Sequence, residues 1–283
     1  MPTQVVASDM EFVVFAKRIK QRTGIDLSSY KRPQMERRLR ALASQHGVST
    51  FWEYYHLLDA NPEAMEEFRK RMTINVSELF RNPEKFVELE KDLLPALRAS
   101  YGKLNIWSAG CSYGAEPYTL AMQLREMGMG AGQARVLATD IDDEMLARAH
   151  TGVFTEADMR NVAESRRQRF FTPRDGHFQV KAEVRSLVEY RHHDLLVDRF
   201  EKDFHLVLCR NVVIYFTDEA KDVLYRKFAG SLVPGGVLFV GSTERVFGAR
   251  EIGLESLGPF FYRKTATAQD TPVGRATESR GEV

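Results

Sequence analysis

Carboxylates, a guanidinium and an amide recur in this sequence at the ends of apolar runs, an arrangement that lets an α/β protein hold a nucleoside-like ligand. The run Leu104–Ala109 is apolar and β-prone, and it enters a turn of small residues, Gly110, Ser112 and Gly114. The turn opens into a helix-like run from Glu116 to Met127. Helix N–H groups point out of such a turn, and glycine lets a ligand approach where a Cβ would block it. Pro117 fits the first helical turn, where its missing N–H costs nothing. Asp140 closes the next strand-like run, 30 residues past Gly110. A carboxylate there accepts two hydrogen bonds from a ribose diol. Asp194 and Leu195 close a third strand, where a carboxylate can accept from an adenine amino group. Arg210 and Asn211 interrupt the strongly apolar run from Cys209 to Phe216. Polar groups at the carboxyl end of a central strand read as site residues. Tyr215 can present its hydroxyl to the same crevice.

Other chemistries fit less well. A strict G-x-G-x-x-G is absent, and Ser112 stands where a glycine would let a pyrophosphate sit tight. A ligand with ribose and adenine but no pyrophosphate fits better. Gly110 to Gly114 spells the hydrolase nucleophile elbow, G-x-S-x-G. Yet it follows the first strand of its region, behind about 100 helical residues, and the last histidine is His205, on a strand. His192 and His193 are adjacent and point opposite ways on a strand. No further His or Cys lies at ligand spacing, so no metal site is expected.

The elements that must position these residues fall into two styles. Residues 9–100 read as helical. Phe12, Phe15, Ala16 and Ile19 form one stripe. Pro33–Ala43 is a basic helix with Met35, Leu39 and Leu42 on one side. Thr50 caps a helix with Phe51, Tyr54 and Leu58 inward. Glu63–Met72 and Pro83–Ser100 are further helices. From 104 onward strands alternate with helices, which implies a mostly parallel sheet. The strands are Leu104–Ala109, Val136–Ile141, Leu187–Arg191, Leu206–Cys209 with Val212–Tyr215 beside it, and Val237–Gly241, with a final strand at Phe260. The helices are Glu116–Met127, Asp143–His150, Ala157–Arg169 and Asp218–Ser231. Phe178–Lys181 and Leu187–Arg191 resemble a small antiparallel insertion.

The bulk numbers are those of a globular protein of 283 residues, with 43% hydrophobic and 28% charged residues and net charge +1. Nothing global argues for nucleic acid or membrane, and no apolar run approaches the ~18 residues a membrane span needs. Two cysteines, Cys111 and Cys209, end apolar runs and read as reduced, buried thiols of a cytoplasmic protein. Charge is uneven: nine Lys/Arg lie between Lys17 and Arg40, against Asp26 and Glu36. Such an excess attracts an acidic surface, or is a solvated helix face.

Four motifs, in order and at matching spacing over roughly residues 10–264, resemble the chemotaxis receptor methyltransferases, the CheR family. They are Asn75-x-Ser77-x-x-x-Arg81, the stretch Ser108–Tyr118, the stretch Ala138–Asp142, and Cys209–Phe216. The resemblance implies a Rossmann-like, S-adenosylmethionine-dependent methyltransferase sheet behind an all-helical N-terminal domain. The element pattern places the helical domain at 1–82, a linker helix at 83–103 and the α/β domain at 104–264. The polar composition after Lys264 leads us to expect a disordered tail at 265–283. The resemblance makes 171–191 a β-subdomain and implies O-methylation of glutamate side chains on the cytoplasmic helical bundle of chemoreceptors. Asn75, Ser77, Arg81, Glu116, Asp140, Asp194, Leu195, Arg210 and Asn211 would contact the cofactor, and Arg81 and Tyr215 would flank the transferred methyl. The basic helix, through Arg37, Arg38 and Arg40, would dock on the receptor. In some members the β-subdomain binds a tethering pentapeptide; its loop here, Thr172–His177, is short. A monomer suffices.

Two other readings stay open on the residues: a nicotinamide-linked oxidoreductase on a similar sheet, and a non-catalytic adaptor that keeps the fold and binds cofactor or receptor as a signal. A glutamate carboxylate is already ionised at pH 7 and needs no general base. The sequence accordingly leads us to expect neither a Ser-His-Asp group nor a metal.

Overall fold

The computed structural model describes residues 2–72 and 77–265. The expectations for Asn75 and for nearly all of the 265–283 tail lie outside those residues. Four helices come first: α1 (Pro2–Thr23), α2 (Arg32–Gln45), α3 (Phe51–Ala60) and α4 (Pro62–Met72). They close on Phe15, Ile19, Leu39, Phe51, Tyr54 and Phe68, the stripes their 3–4 residue spacing implies. Thr50 and Glu53 form a capping box at α3. Glu11 of α1 accepts the Phe51 amide at 2.6 Å, which fixes α1 against α3.

The expected helix Pro83–Ser100 is interrupted. It runs as α5 (Pro83–Glu88), a π-turn at Leu89–Leu93, and α6 (Leu94–Tyr101). Pro95 has no N–H to offer the preceding turn, and the Leu94 amide reaches back five residues to the Leu89 carbonyl.

The rest of the chain runs β1 (Leu104–Ala109), α7 (Ala115–Glu126), β2 (Ala134–Asp140), α8 (Asp143–Thr151), β3 (Val153–Phe154), α9 (Glu164–Phe170), β4 (Phe171–Arg174), β5 (His177–Val180) and α10 (Ala182–Arg185). It continues through β6 (Val188–His192), β7 (Phe204–Cys209), α11 (Asp218–Ser231), β8 (Leu232–Val240), β9 (Leu254–Gly258) and β10 (Phe261–Lys264). Seven strands form one sheet in the order β6-β2-β1-β7-β8-β10-β9. Strands β6, β2, β1, β7 and β8 pair in parallel, and β10 is antiparallel to both neighbours. Successive residues face opposite sides, as the pleat requires. Ile106, Val136, Leu206 and Val237 meet one core with Leu89, Leu94 and Leu120. Trp107, Leu137, Val207 and Leu238 meet the other with Leu224 and Phe228 of α11.

Three local expectations differ from what is observed. Residues 187–191 do not share the small insertion: β6 pairs parallel with β2, and the separate three-stranded sheet is β3-β5-β4. Val153 and Phe154 therefore complete an insertion whose core is Phe154, Phe170, Phe171 and Val180. Val213–Tyr215 is a 3₁₀ turn, not a strand, because Asn211 enters it at φ 60° and leaves the sheet. Ala157–Arg169 splits into a 3₁₀ turn (Ala157–Met159) and α9, since Ala163 takes up an extended ψ of 145° between them. Among the described residues no helix is long and apolar enough to cross a membrane.

Candidate cofactor site and active centre

The parallel register brings Ala109, Asp140, His192, Cys209 and Val240 to one edge of the sheet. At this edge the connections from β1 and β7 diverge to opposite sides, which leaves a crevice between them. A cleft of about 1060 Å³, part of it open to solvent, lies there. Its floor is Gly110, Ser112, Glu116 and Asp140. Ile141, Asp194 and Leu195 form one side and Arg210, Asn211, Val212 and Tyr215 the other. Ser77, Glu78 and Arg81 come from the segment before α5, and Tyr30 and Met72 from the helical region. Eight of the nine cofactor residues expected from the sequence thus meet in one cleft, Tyr215 with them; the ninth is Asn75.

Arg210 organises the centre. Its Nη1 lies 3.2 Å from Glu116 Oε2, and its Nη2 donates to the Arg81 carbonyl at 3.0 Å and to Asn82 Oδ1 at 2.8 Å. The guanidinium lies over the Phe239 ring at 4.6 Å. The Arg210 side chain is 3% exposed and that of Glu116 14%, so the pair is substantially desolvated. Each charge is tolerable there because the other and the added hydrogen bonds compensate it. Glu116 also accepts from Ser108 Oγ at 2.7 Å.

Asp140 is 8% exposed. Its Oδ2 accepts the Ser112 amide at 2.7 Å and its Oδ1 the Asp142 amide at 3.0 Å. Burial pushes its carboxyl up, and those two amides oppose the shift. The Ile141 amide also acts on the carboxylate, and the four lone-pair sites still leave room for a ligand hydroxyl. Asp142 is the cap of α8, accepting from Glu144 and Met145 at 3.1 Å. Asp194 accepts the Leu196 amide at 2.8 Å.

The glycines differ from expectation. Gly110 takes φ 82°, and a Cβ there would overlap Val212 Cγ2; at Gly114 it would lie 2.6 Å from the Tyr190 hydroxyl. Both positions make room for neighbouring protein rather than for a ligand. The paired histidines separate: His192 Nδ1 is 2.8 Å from Asp143 Oδ1, while His193 packs edge-on against Trp107.

The segment carrying Ser77 and Arg81 is held at several points. The Ser77 carbonyl accepts from the Tyr113 hydroxyl, and Glu78 pairs with Arg160. The Phe80 amide donates to Thr119 Oγ1 at 3.0 Å.

A second, basic groove of about 960 Å³ adjoins the cleft. Lys31, Gln34, Arg37 and Arg38 of the α2 region line it, and Tyr30, Met72 and Tyr215 line both spaces. Arg40 lies elsewhere, its guanidinium 4.5 Å from the Phe51 ring centroid. Tyr30, Met72, Phe86 and Glu244 were not legible as site residues. For Glu244 a signal existed: it is an acid in the turn that follows β8, near the sheet edge at which Asp140 ends β2.

Sheet order, antiparallel last strand and a polar cleft at the carboxyl edge define an α/β protein built for a nucleoside-containing cofactor. Residues 75–256 match the CheR methyltransferase, SAM binding domain, and residues 10–73 match the CheR methyltransferase, all-alpha domain. The chain belongs to the CheR methyltransferase family. A chemotaxis protein methyltransferase of Listeria monocytogenes is 40% identical over 258 residues, 91% of this chain and 98% of its own length. One of Salmonella typhimurium is 33% identical over 257 residues, 86% of each chain. Among solved structures, a TehB-like SAM-dependent methyltransferase of Corynebacterium glutamicum overlaps with a TM-score of 0.35 at 18% identity, over 72% of this chain and 97% of its own.

The cleft fits S-adenosylmethionine. Glu116 and Asp140 line the cleft and supply acceptors of the kind an ammonium group and a ribose diol require. Arg210 Nε is a buried donor without a partner among the described residues.

Proposed function

We propose that this protein methylates glutamate side chains on the cytoplasmic helical bundle of chemoreceptors, producing glutamate methyl esters and S-adenosylhomocysteine. The observation that carries this reading is the wall shared by the two cavities. Tyr30, Met72 and Tyr215 border both the cofactor cleft and a groove edged by Lys31, Arg37 and Arg38. An acidic helix lying in that groove would bring a glutamate to the cleft. The relatives' name, chemotaxis protein methyltransferase, supports the same substrate. A monomer in the cytoplasm is the expected form, with no nucleic-acid partner.

When bound, S-adenosylmethionine supplies an electrophilic methyl group that needs no further activation. The acceptor carboxylate is ionised at neutral pH, so no residue need remove a proton. What remains is alignment, and orientation in a bound pair contributes about 7–11 kcal/mol to such reactions. Arg81 would hold the acceptor by a charge-assisted bond. Its backbone is pinned for this by the 3.0 Å bond from Arg210. Tyr215 would close the other side, and the walls of Phe86, Leu195 and Val212 would exclude water around the carboxylate.

The test is transfer of a radiolabelled methyl group from S-adenosylmethionine to receptor-containing membranes. Base-labile label on the receptor is expected, and its absence would sink the reading. Stabilisation by S-adenosylhomocysteine but not NADH separates it from an oxidoreductase.

A further inference from the structure

We propose that Glu244 is a positioning residue. Its carboxylate sets the conformation of the Arg210–Tyr215 loop and so places Arg210, Asn211 and Tyr215 in the cleft. The inference rests on reading that cleft as the S-adenosylmethionine site. Glu244 follows β8 and is 7% exposed, and among the described residues its bonds are to main chain and not to a cation. Instead one oxygen, Oε2, accepts two backbone N–H groups, from Gly241 at 2.6 Å and from Asn211 at 2.9 Å. Burial raises its carboxyl, and the amides of Asn211, Gly241, Ile214 and Val213 work against the shift. The carboxylate thus lies beneath the loop, facing its amides.

Asn211 is the residue that needs such support. It takes φ 60°, a left-handed conformation that costs a non-glycine residue free energy unless its surroundings impose it. That turn separates Arg210, aimed at Glu116, from Val212, which presses on Gly110. Gly241 has a matching requirement. A Cβ there would collide with the Glu244 carboxylate and lie 2.9 Å from the Asn211 nitrogen. The glycine therefore makes room for the Glu244–Asn211 bond.

Only an acceptor is required at Oε2, so glutamine should serve. Glu244→Ala, Glu244→Gln and Gly241→Ala are compared with wild type, well below each variant's Tm. Calorimetry with S-adenosylhomocysteine gives the Kd, and methyl transfer to receptor membranes gives kcat. Leaving the Asn211 and Gly241 amides buried and unpaired should weaken the ligand by about tenfold or more in Glu244→Ala, with kcat falling as well. Gly241→Ala should do the same, and it serves alone if Glu244→Ala does not fold. Glu244→Gln should stay within about threefold of wild type, since it keeps an acceptor in place. A merely structural residue would lower Tm and leave Kd and kcat of the folded protein unchanged, and that result overturns the proposal. Glutamine failing as badly as alanine overturns it too. Wild type that binds no S-adenosylhomocysteine would instead refute the reading of the cleft.

Discussion

The Lys31 amide donates to the Tyr215 carbonyl at 2.9 Å. Beside it the Thr217 amide donates to the Ser29 carbonyl at 2.9 Å, and the Tyr30 and Phe216 rings meet edge-on at 5.0 Å. The start of the basic helix is thereby fastened to the loop that carries Tyr215. Lys31 has φ −60° and Tyr30 before it is extended, so the backbone angles at position 31 suit proline, which removes the N–H and the side chain and sets its ring Cδ against the Tyr215 carbonyl, breaking the bridge. Lys31→Pro should lower kcat on receptor membranes by about 2–10-fold, the worth of one net hydrogen bond. Lys31→Ala keeps the N–H and is the control. Equal kcat in the two variants would remove the bridge from the mechanism.

Arg81→Ala should reduce kcat by about 10–100-fold, as expected for losing a charge-assisted bond to the acceptor. The Kd for S-adenosylhomocysteine should change by less than about threefold, because the backbone contact with Arg210 does not depend on the side chain. Single-turnover kinetics beside calorimetry separates the two. Equal losses in both would make Arg81 a cofactor ligand.

The Arg210–Glu116 pair is buried, so breaking it from one side leaves an uncompensated charge. Glu116→Ala should cost about 3–5 kcal/mol in urea unfolding. Glu116→Gln combined with Arg210→Met should recover much of that stability without restoring S-adenosylhomocysteine binding. A double-mutant cycle with no interaction energy would contradict the pairing.

Arg37→Glu with Arg38→Glu should raise the receptor KM about 3–10-fold, more at low salt, with cofactor affinity unchanged. Arg40→Glu should chiefly lower Tm, because its guanidinium stacks on Phe51. An unchanged KM in the double variant would return that face to a solvated role.

His205 and His193 have pKa values lowered chiefly by burial. A depressed folded value means the neutral ring is favoured in the native state. That contribution is present above the unfolded value of about 6.5 and is lost as pH falls through the folded values. Thermal melts from pH 8 to pH 5 should therefore show a fall in Tm below about pH 6.5. The His205 ring accepts the Asn105 amide at 2.8 Å, and His205→Gln should flatten part of that fall. A parallel pH profile in the variant would exclude His205.

Much of the site was legible locally. Asp140 and Arg210 end or interrupt apolar runs, Asp194 follows a strand-like run, and a parallel sheet brings such positions to one edge, whereas Glu116, in the first turn of α7, came from the resemblance of the Ser108–Tyr118 stretch. The Asp142 cap is local in another way, since its partners are two and three residues away. What failed was also local in cause. Pro95 converts a helical turn to a π-turn, and Asn211 turns a strand-like run into a 3₁₀ turn. An apolar β-branched run reads alike in both settings.

The amino-acid sequence by itself determined the alternation of strands and helices, the helical region ahead of it, and the polar residues at strand ends. These follow from periodicity and from residue types within one element. Only the tertiary structure decided that Tyr30 and Met72 border the cleft and that Arg40 leaves Arg37 and Arg38 to pack on Phe51. It alone revealed that the glycines of the first turn accommodate Val212 and Tyr190, and that Glu244 sits beneath Asn211. Each of those relations joins residues far apart in the chain, and contacts between separate elements leave no spacing in the sequence to be read.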